Sequence, residues 1–419
     1  MSDQPQGDGG RLRRLFKGGL PTIAGSGVVA LVPLSGSFFL SNNDYAIWAL
    51  ASTLSTIFII FDFGTASLST KLAAEGRLNR ATLLKLLAIT GIPPIFLGAV
   101  VIAIWPWYAG SANLIGATET SVFLMLACVA TGTVLRSFGV IYSAIALGRE
   151  HYNKRAQILL SGALIQLVVT LTALFGGAGV LSLGLGIIGG GLAQMAAGAA
   201  LEHKFDETTV LDLDLAGLIR RFVRSRGTAT LLGLMATQLD RWALGLAATP
   251  SLLSTYDLAT RFATIPKIAL LAFAAGLVAE AARTPDLTKA IELARTSRKA
   301  ITGLFALGSI VTSVVAMIVL APRVSLLEAG LVVLLVTIGH GANASTIPGG
   351  LILTGWGRPD LELRYLWPLA ALCAAAYVAG ILVDSGQLLI LGWFVAMTSC
   401  SIYFALMVPK YLKKAAKLV

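Results

Sequence analysis

Seven ionisable side chains, Asp62, Arg136, Asp240, Arg241, Asp257, Arg261 and Lys267, fall inside long apolar stretches of this sequence. A charge inside a bilayer costs roughly 2.5 to 3.5 kcal/mol even on the lenient insertion scale, so each is expected to face a cavity or a partner. The chemistry available to such groups is ion pairing, binding of a charged ligand and proton movement. Asp240 and Arg241 lie near the end of one stretch and Asp257 and Arg261 near the start of the next, about equally far from a turn near residue 250. Asp257 and Arg261 also share a helix face at i, i+4 spacing. The four charges sum to zero and read either as a structural or gating network or as a network from which one member contacts substrate.

Arg136 and Lys267 differ from these, because neither has an opposite charge within four residues on its own helix. At about 1.5 Å per residue both lie roughly 22 to 26 Å from the outer surface, past the midplane. They are available to hold an anion. Asp62, 17 residues past Tyr45, comes to the same level and is a counter-ion for Arg136 when no substrate is bound. The alternative is a permanent buried bridge of Asp62 with Arg136, with Lys267 snorkelling toward an interface. His340 sits in GHGANASTIPGG at 339–350, where Gly and Pro interrupt an apolar helix. Such breaks expose backbone to a cavity, and a histidine there either titrates near neutral pH and moves a proton or packs as a hydrogen-bonded residue.

The elements that must position these groups follow from composition. Of 419 residues, 56% are hydrophobic and 13% charged, with a mean hydropathy of +0.81, whereas soluble domains carry roughly 25% charged residues. A soluble globular protein, a disordered chain and a disulfide scaffold are excluded. Cys128, Cys373 and Cys400 lie far apart inside apolar stretches and offer neither a disulfide framework nor a zinc spacing. No cofactor, metal or catalytic residue is assigned.

Apolar stretches lie at about 19–40, 45–68, 83–107, 119–147, 156–176, 179–201, 227–248, 252–281, 300–321, 326–354, 365–383 and 387–408. Each is about the length a bilayer crossing needs. The expected fold is therefore an all-α polytopic membrane protein with twelve transmembrane helices. The net charge of +11 follows the positive-inside rule and does not point to nucleic acid. Of 32 Lys and Arg, 27 fall at the termini and in every second loop, Arg323 alone falls in the opposite loops, and four lie within spans. Both termini are thus expected in the cytoplasm. The expected organisation is a basic N-terminus (1–18) with no cleaved leader, a first lobe (19–201), a linker (202–226) with an amphipathic helix, a second lobe (227–408) and a basic tail (409–419).

DYAIWALAST at 44–53 matches TYDLATRFAT at 255–264 at an offset of 211, which also places Arg13 onto Arg224. The match reads as a parallel repeat of two six-helix halves, or as chance between apolar segments. The run SNNDYAIWALASTLSTIFIIFDFGTASLSTKLAA at 41–74 resembles the second-helix signature of Wzx-type polysaccharide and O-antigen flippases, in the multidrug/oligosaccharidyl-lipid/polysaccharide (MOP) superfamily. Tyr45, Trp48, Asp62 and Gly64 fill the signature places, with Ala46 where Gly is usual. QLDRWALG at 238–245 and TYDLATRF at 255–262 add a second matching piece.

The resemblance implies a MATE-like fold and transport of an undecaprenyl-diphosphate-linked oligosaccharide to the outer leaflet of the bacterial inner membrane by alternating access. It implies a monomer coupled to H+ or Na+ and working beside polysaccharide polymerase machinery. A diphosphate needs cationic donors to replace its lost hydration, and Arg136, Lys267, Arg241 and Arg261 are the candidates, with Asp62, Asp240 and Asp257 as gating or ion-pair partners. The runner-up is a cation-coupled multidrug exporter of the same superfamily, which the excess of deep cations over deep anions disfavours. A membrane polymerase or ligase is disfavoured because no outer loop is large enough to hold catalytic residues.

Overall fold

A computed structural model of the chain describes residues 25, 28, 31–60, 65–74, 76, 78–112, 114, 117–202, 228–229, 231–274, 277–282, 284, 286–356 and 358–416. Asp62 and most of the linker lie outside them. The described chain is all helical: α1 (Asn42–Ile60), α2 (Thr65–Ala74), α3 (Arg80–Ser111), α4 (Glu119–Gly148), α5 (Tyr152–Phe175), α6 (Leu181–Leu201), α7 (Leu239–Ala247), α8 (Pro250–Ala274), α9 (Leu277–Ala282), α10 (Leu287–Leu320), α11 (Leu326–Ala344), α12 (Ile347–Gly355), a 3-10 turn (Pro359–Glu362), α13 (Leu363–Leu382) and α14 (Gly386–Ala416). Residues 31–39 and 231–237 are helical as well.

Eight spans among the described residues are long and apolar enough to cross a membrane, against the twelve stretches read from the sequence. The other four are not random omissions. The stretch at 19–40 is largely outside the described residues, and that at 45–68 is interrupted at 61–64, also outside them. The stretch at 227–248 breaks at Gln238, the N-cap of α7, and α8 carries Asp257, Arg261 and Lys267, too many charges for an ordinary span. Three of these four stretches carry candidate charges, whereas Arg136 and His340 lie on spans that qualify. The helix break foreseen at 339–350 is present: α11 ends at Ala344 and α12 starts at Ile347.

The described residues form two compact units. One comprises Gly25–Leu258 with Leu372–Trp393, the other Ala259–Ala371 with Phe394–Val419. In the first, α4, α5 and α6 pack closely because small residues let backbones approach, the device membrane helices use where lipid removes the hydrophobic driving force. A Cβ on Gly132 of α4 would lie 2.6 Å from the backbone of Ile187 and Ile188 on α6, and one on Gly191 would overlap the Gly132 carbonyl oxygen. Leu68, Leu72, Leu83, Leu86, Ile141 and Ile145 close a core beside them. In the second unit, Leu270, Ala274, Ile301, Phe305, Ala344 and Ile347 gather α8, α10, α11 and α12 into one core.

Candidate functional site

The first unit buries a network of ionisable groups around the break between residues 231–237 and α7. Arg241 Nε donates to Asp257 Oδ1 at 2.7 Å, and Arg241 NH1 lies 3.4 Å from Asp240 Oδ1. Asp240 and Asp257 are fully buried and Arg241 is 5% exposed. Burying an ion pair is favourable only if the remaining lone pairs are also satisfied. They are: Tyr256 donates its hydroxyl to Asp240 Oδ2 at 2.6 Å and Tyr45 donates to Asp257 Oδ2 at 3.1 Å. The offset of 211 residues that relates the two sequence repeats also relates Tyr45 to Tyr256. The two sequence runs that match each other therefore each supply a tyrosine to one of the two carboxylates.

The break itself is stabilised by the same residues. Where helix 231–237 stops, carbonyls lose their i+4 donors and need others. Asp240 Oδ1 takes the Arg241 backbone N–H at 2.9 Å, while the Arg241 guanidinium donates to the Thr237 carbonyl at 3.1 Å. Trp393 Nε1 donates to the Ala236 carbonyl at 2.8 Å and Tyr377 donates to that of Met235 at 3.1 Å. Next to it, Trp242 Nε1 donates to Thr53 and its carbonyl accepts from Tyr108 at 2.7 Å, fastening α7 to α1 and α3. Tyr45, Tyr256, Tyr377, Trp393 and Tyr108 were not singled out as partners by the sequence reading. The legible signal was the pair of repeat tyrosines, which sit in the two runs that match each other.

Arg136 lies on α4 of the first unit, half-buried, where its NH1 donates to Gln166 Oε1 on α5 at 3.3 Å. Lys267 lies on α8, among the residues of the second unit, half-buried, where its Nζ donates to Asn343 Oδ1 on α11 at 2.5 Å. Each intramembrane cation is thus held by a neutral amide oxygen. Among the described residues no carboxylate pairs with either. An amide oxygen accepts from a cation without neutralising its charge. The alternative partner for Arg136, Asp62, lies outside the described residues.

Arg261 is on α8, one turn beyond Asp257, and half-buried. Asp257 Oδ1 accepts from Arg241 Nε, 16 residues away in sequence. His340, on α11, is 2% exposed and stands one turn before the helix ends at Ala344. On α6, Glu202 follows the last helical residue and gathers Arg149 at 2.8 Å, His151 at 2.8 Å and Lys154 at 3.4 Å. Burial pushes the Glu202 carboxyl up, but hydrogen bonds from His151 and Arg149 and the charge of Lys154 win and hold it below the ordinary carboxylate range.

No protein-family model matches the sequence, and no curated protein does. Solved structures do. A multidrug-resistance MATE family transporter of the MOP superfamily in an inward-facing conformation superposes with a TM-score of 0.71 at 13% identity, covering 94% of this chain and 96% of that one. A MOP superfamily transporter from Pyrococcus furiosus, described as having a binding pocket of reverse polarity that suggests a different function, gives 0.68 at 12% identity over 96% of both chains. A mutant of the Vibrio cholerae MATE transporter VcmN gives 0.67 at 18% identity over 98% of both. The chain shares the all-helical, MATE-like fold of these structures.

Proposed function

We propose that this MATE-like membrane protein is a flippase that moves an undecaprenyl-diphosphate-linked oligosaccharide from the cytoplasmic to the outer leaflet of the bacterial inner membrane. The observation that carries the reading is the state of Arg136 and Lys267: intramembrane cations, each steadied by an amide oxygen and each without a carboxylate among the described residues. A buried charge left without its counter-ion is unfavourable, and an anionic diphosphate group bound at such a cation removes that penalty. The amides keep the donors aimed while the ligand is absent. No catalytic group is required, because the substrate crosses without a bond being made or broken.

In this reading the chain works by alternating access of two lobes, 19–201 and 227–408, with both termini cytoplasmic. Asp62, Asp240 and Asp257 serve as the gating or ion-pair set, and Arg241 and Arg261 are the further cations assigned to the diphosphate. His340, beside the α11 break, is the candidate for coupling H+, with Na+ as the other coupling ion, and the protein acts as a monomer supplying polymerase machinery.

The second reading is a cation-coupled multidrug exporter. It is favoured by the multidrug-resistance neighbours and by the two fully buried carboxylates, Asp240 and Asp257. The neighbour whose pocket of reverse polarity is described as suggesting a different function leaves room for a function other than multidrug export on this fold. Reconstitution into proteoliposomes separates the two readings. The flippase reading expects a polyprenyl-diphosphate oligosaccharide placed in one leaflet to become accessible in the other, with no uptake of organic cations. Cation uptake without lipid movement would establish the exporter instead.

A further inference from the structure

The second unit carries a basic groove that neither reading uses. α10 has 34 residues, about 51 Å at 1.5 Å per residue, far more than a bilayer's hydrocarbon requires. Its charges stop at Lys299, and the 21 residues from Ala300 to Leu320 carry none and suffice for one crossing. Arg298 and Lys299 therefore stand at the boundary between hydrocarbon and headgroups. α14 reaches the same kind of boundary from its other end: it is free of charge from Gly386 to Pro409, and Lys410, Lys413 and Lys414 follow.

A specific bond joins the two helices at this level. Pro409 has no backbone N–H, so within α14 the Ala405 carbonyl lacks its i+4 donor. Arg298 NH1 fills that place at 2.7 Å. Five N–H groups belong to a guanidinium, and one carbonyl occupies few of them. Two connected cavities, about 210 Å³ and 520 Å³, share Arg298, Ser345, Ala405 and Leu406 as lining. Arg295 enters the lining of the first cavity and Lys299 that of the second. No ion pair joins any of these three cations to a carboxylate among the described residues. The wall beside them is apolar, formed by Ala306, Ile402 and Leu406, with Ile402 49% and Leu406 62% exposed.

We infer that this groove is a binding site for an anionic phospholipid of the surrounding bilayer. Its phosphate is held by Arg295, Arg298 and Lys299, and an acyl chain lies along Ala306, Ile402 and Leu406. Three unpaired cations at headgroup level match a phosphate, and an apolar wall continuing into the hydrocarbon level matches an acyl chain. Free phosphate has no use for such a wall. The groove opens on lipid-facing side chains, so its occupancy follows mass action with the bulk anionic lipid. The transported substrate is not involved in this binding.

Native mass spectrometry of the purified full-length protein in detergent tests the inference, with phosphatidylglycerol and phosphatidylcholine of identical acyl chains as probes. The wild type should retain phosphatidylglycerol at least about tenfold more tightly. A juxtamembrane cation contributes roughly a fivefold affinity step, so R295Q/K299Q should weaken phosphatidylglycerol binding about 30-fold and leave phosphatidylcholine unchanged. Arg298 is left in place because it also holds Ala405. A306W, which fills the apolar wall and keeps every charge, should likewise lower phosphatidylglycerol binding, so the inference stays testable if the double variant fails to fold. Equal binding of the two lipids, undiminished phosphatidylglycerol binding in both variants, or its displacement by millimolar inorganic phosphate would overturn the inference.

Discussion

Arg241 and Asp257, 16 residues apart in sequence, are joined across the α7–α8 turn by a 2.7 Å bond between Nε and Oδ1, and that bond lies at the centre of five buried groups. Two carboxylates, one guanidinium and two tyrosine hydroxyls satisfy one another while the guanidinium also closes a helix break. Removing one member of such a set leaves a buried charge without its partner, which costs about 3 to 5 kcal/mol. Asp257→Asn and Arg241→Gln should each lower the unfolding temperature of the purified protein strongly, and the double variant should lose less than the sum of the two. Strictly additive losses would mean that the two side chains act independently.

Tyr45→Phe and Tyr256→Phe should be milder. Each removes one hydroxyl donor from a carboxylate that keeps its contact with Arg241, and hydrogen bonds between membrane helices contribute about 0.6 kcal/mol on average. Equal small shifts in the unfolding temperature are expected, because each tyrosine gives one hydroxyl donor to one of the two carboxylates. A loss as large as that of Asp257→Asn at either position would show that the hydroxyl, not the ion pair, dominates.

Transport assays address the two amide-held cations. Arg136→Ala and Lys267→Ala should each reduce movement of lipid-linked sugar severely at unchanged protein level. Arg136→Lys should keep part of it, since a point cation remains although the bidentate fork is lost. Normal rates in both alanine variants would place the phosphate contacts elsewhere.

Glu202 predicts a pH dependence. Its carboxyl is held below the ordinary range in the folded chain, so the unfolded state binds the proton more readily. The resulting stability is present above the unfolded carboxylate pKa, about 4.3, and is lost as pH falls through the lower folded value. Glu202→Gln should destabilise the protein at pH 7 and flatten this acid limb in thermal unfolding measured from pH 6 downward. An unchanged acid limb would remove Glu202 from the explanation.

Gly132 tests the packing of α4 against α6. With the Ile187 and Ile188 backbone 2.6 Å from the place of a Cβ, neither side can yield by a rotamer change. Gly132→Ala should destabilise by about 1 to 3 kcal/mol, the usual range for overpacking, measured as a fall in unfolding temperature. Gly303, which has open space around it, is the control and should tolerate alanine.

Orientation is checked by reporters active only outside the cytoplasm. A fusion at Val419 should be silent and one at Asn113 active, given the Lys and Arg asymmetry between alternate loops. The reverse pattern would reject the loop assignment and with it the depths of Arg136 and Lys267.

The apolar runs and the distribution of Lys and Arg made the membrane class and the helical fold readable without coordinates, because a bilayer forces every spanning segment to satisfy its own backbone. The helix break after His340 was readable for a similar reason, since Gly and Pro act locally. The candidate charges were also visible from their cost in lipid. Their partners were not. Helical spacing places Arg261 one turn from Asp257, whereas the reach of Arg241 to that carboxylate, with tyrosines from α1 and α8 completing the two carboxylates, is visible only in the fold. Likewise nothing in local sequence joins Arg136 to Gln166, Lys267 to Asn343 or Arg298 to the carbonyl freed by Pro409, pairs 30, 76 and 107 residues apart. Periodicity and charge bias act through nearest neighbours and solvent, so the chain states them by itself. Pairing between distant helices depends on which backbones approach closely, and that is decided by packing in three dimensions.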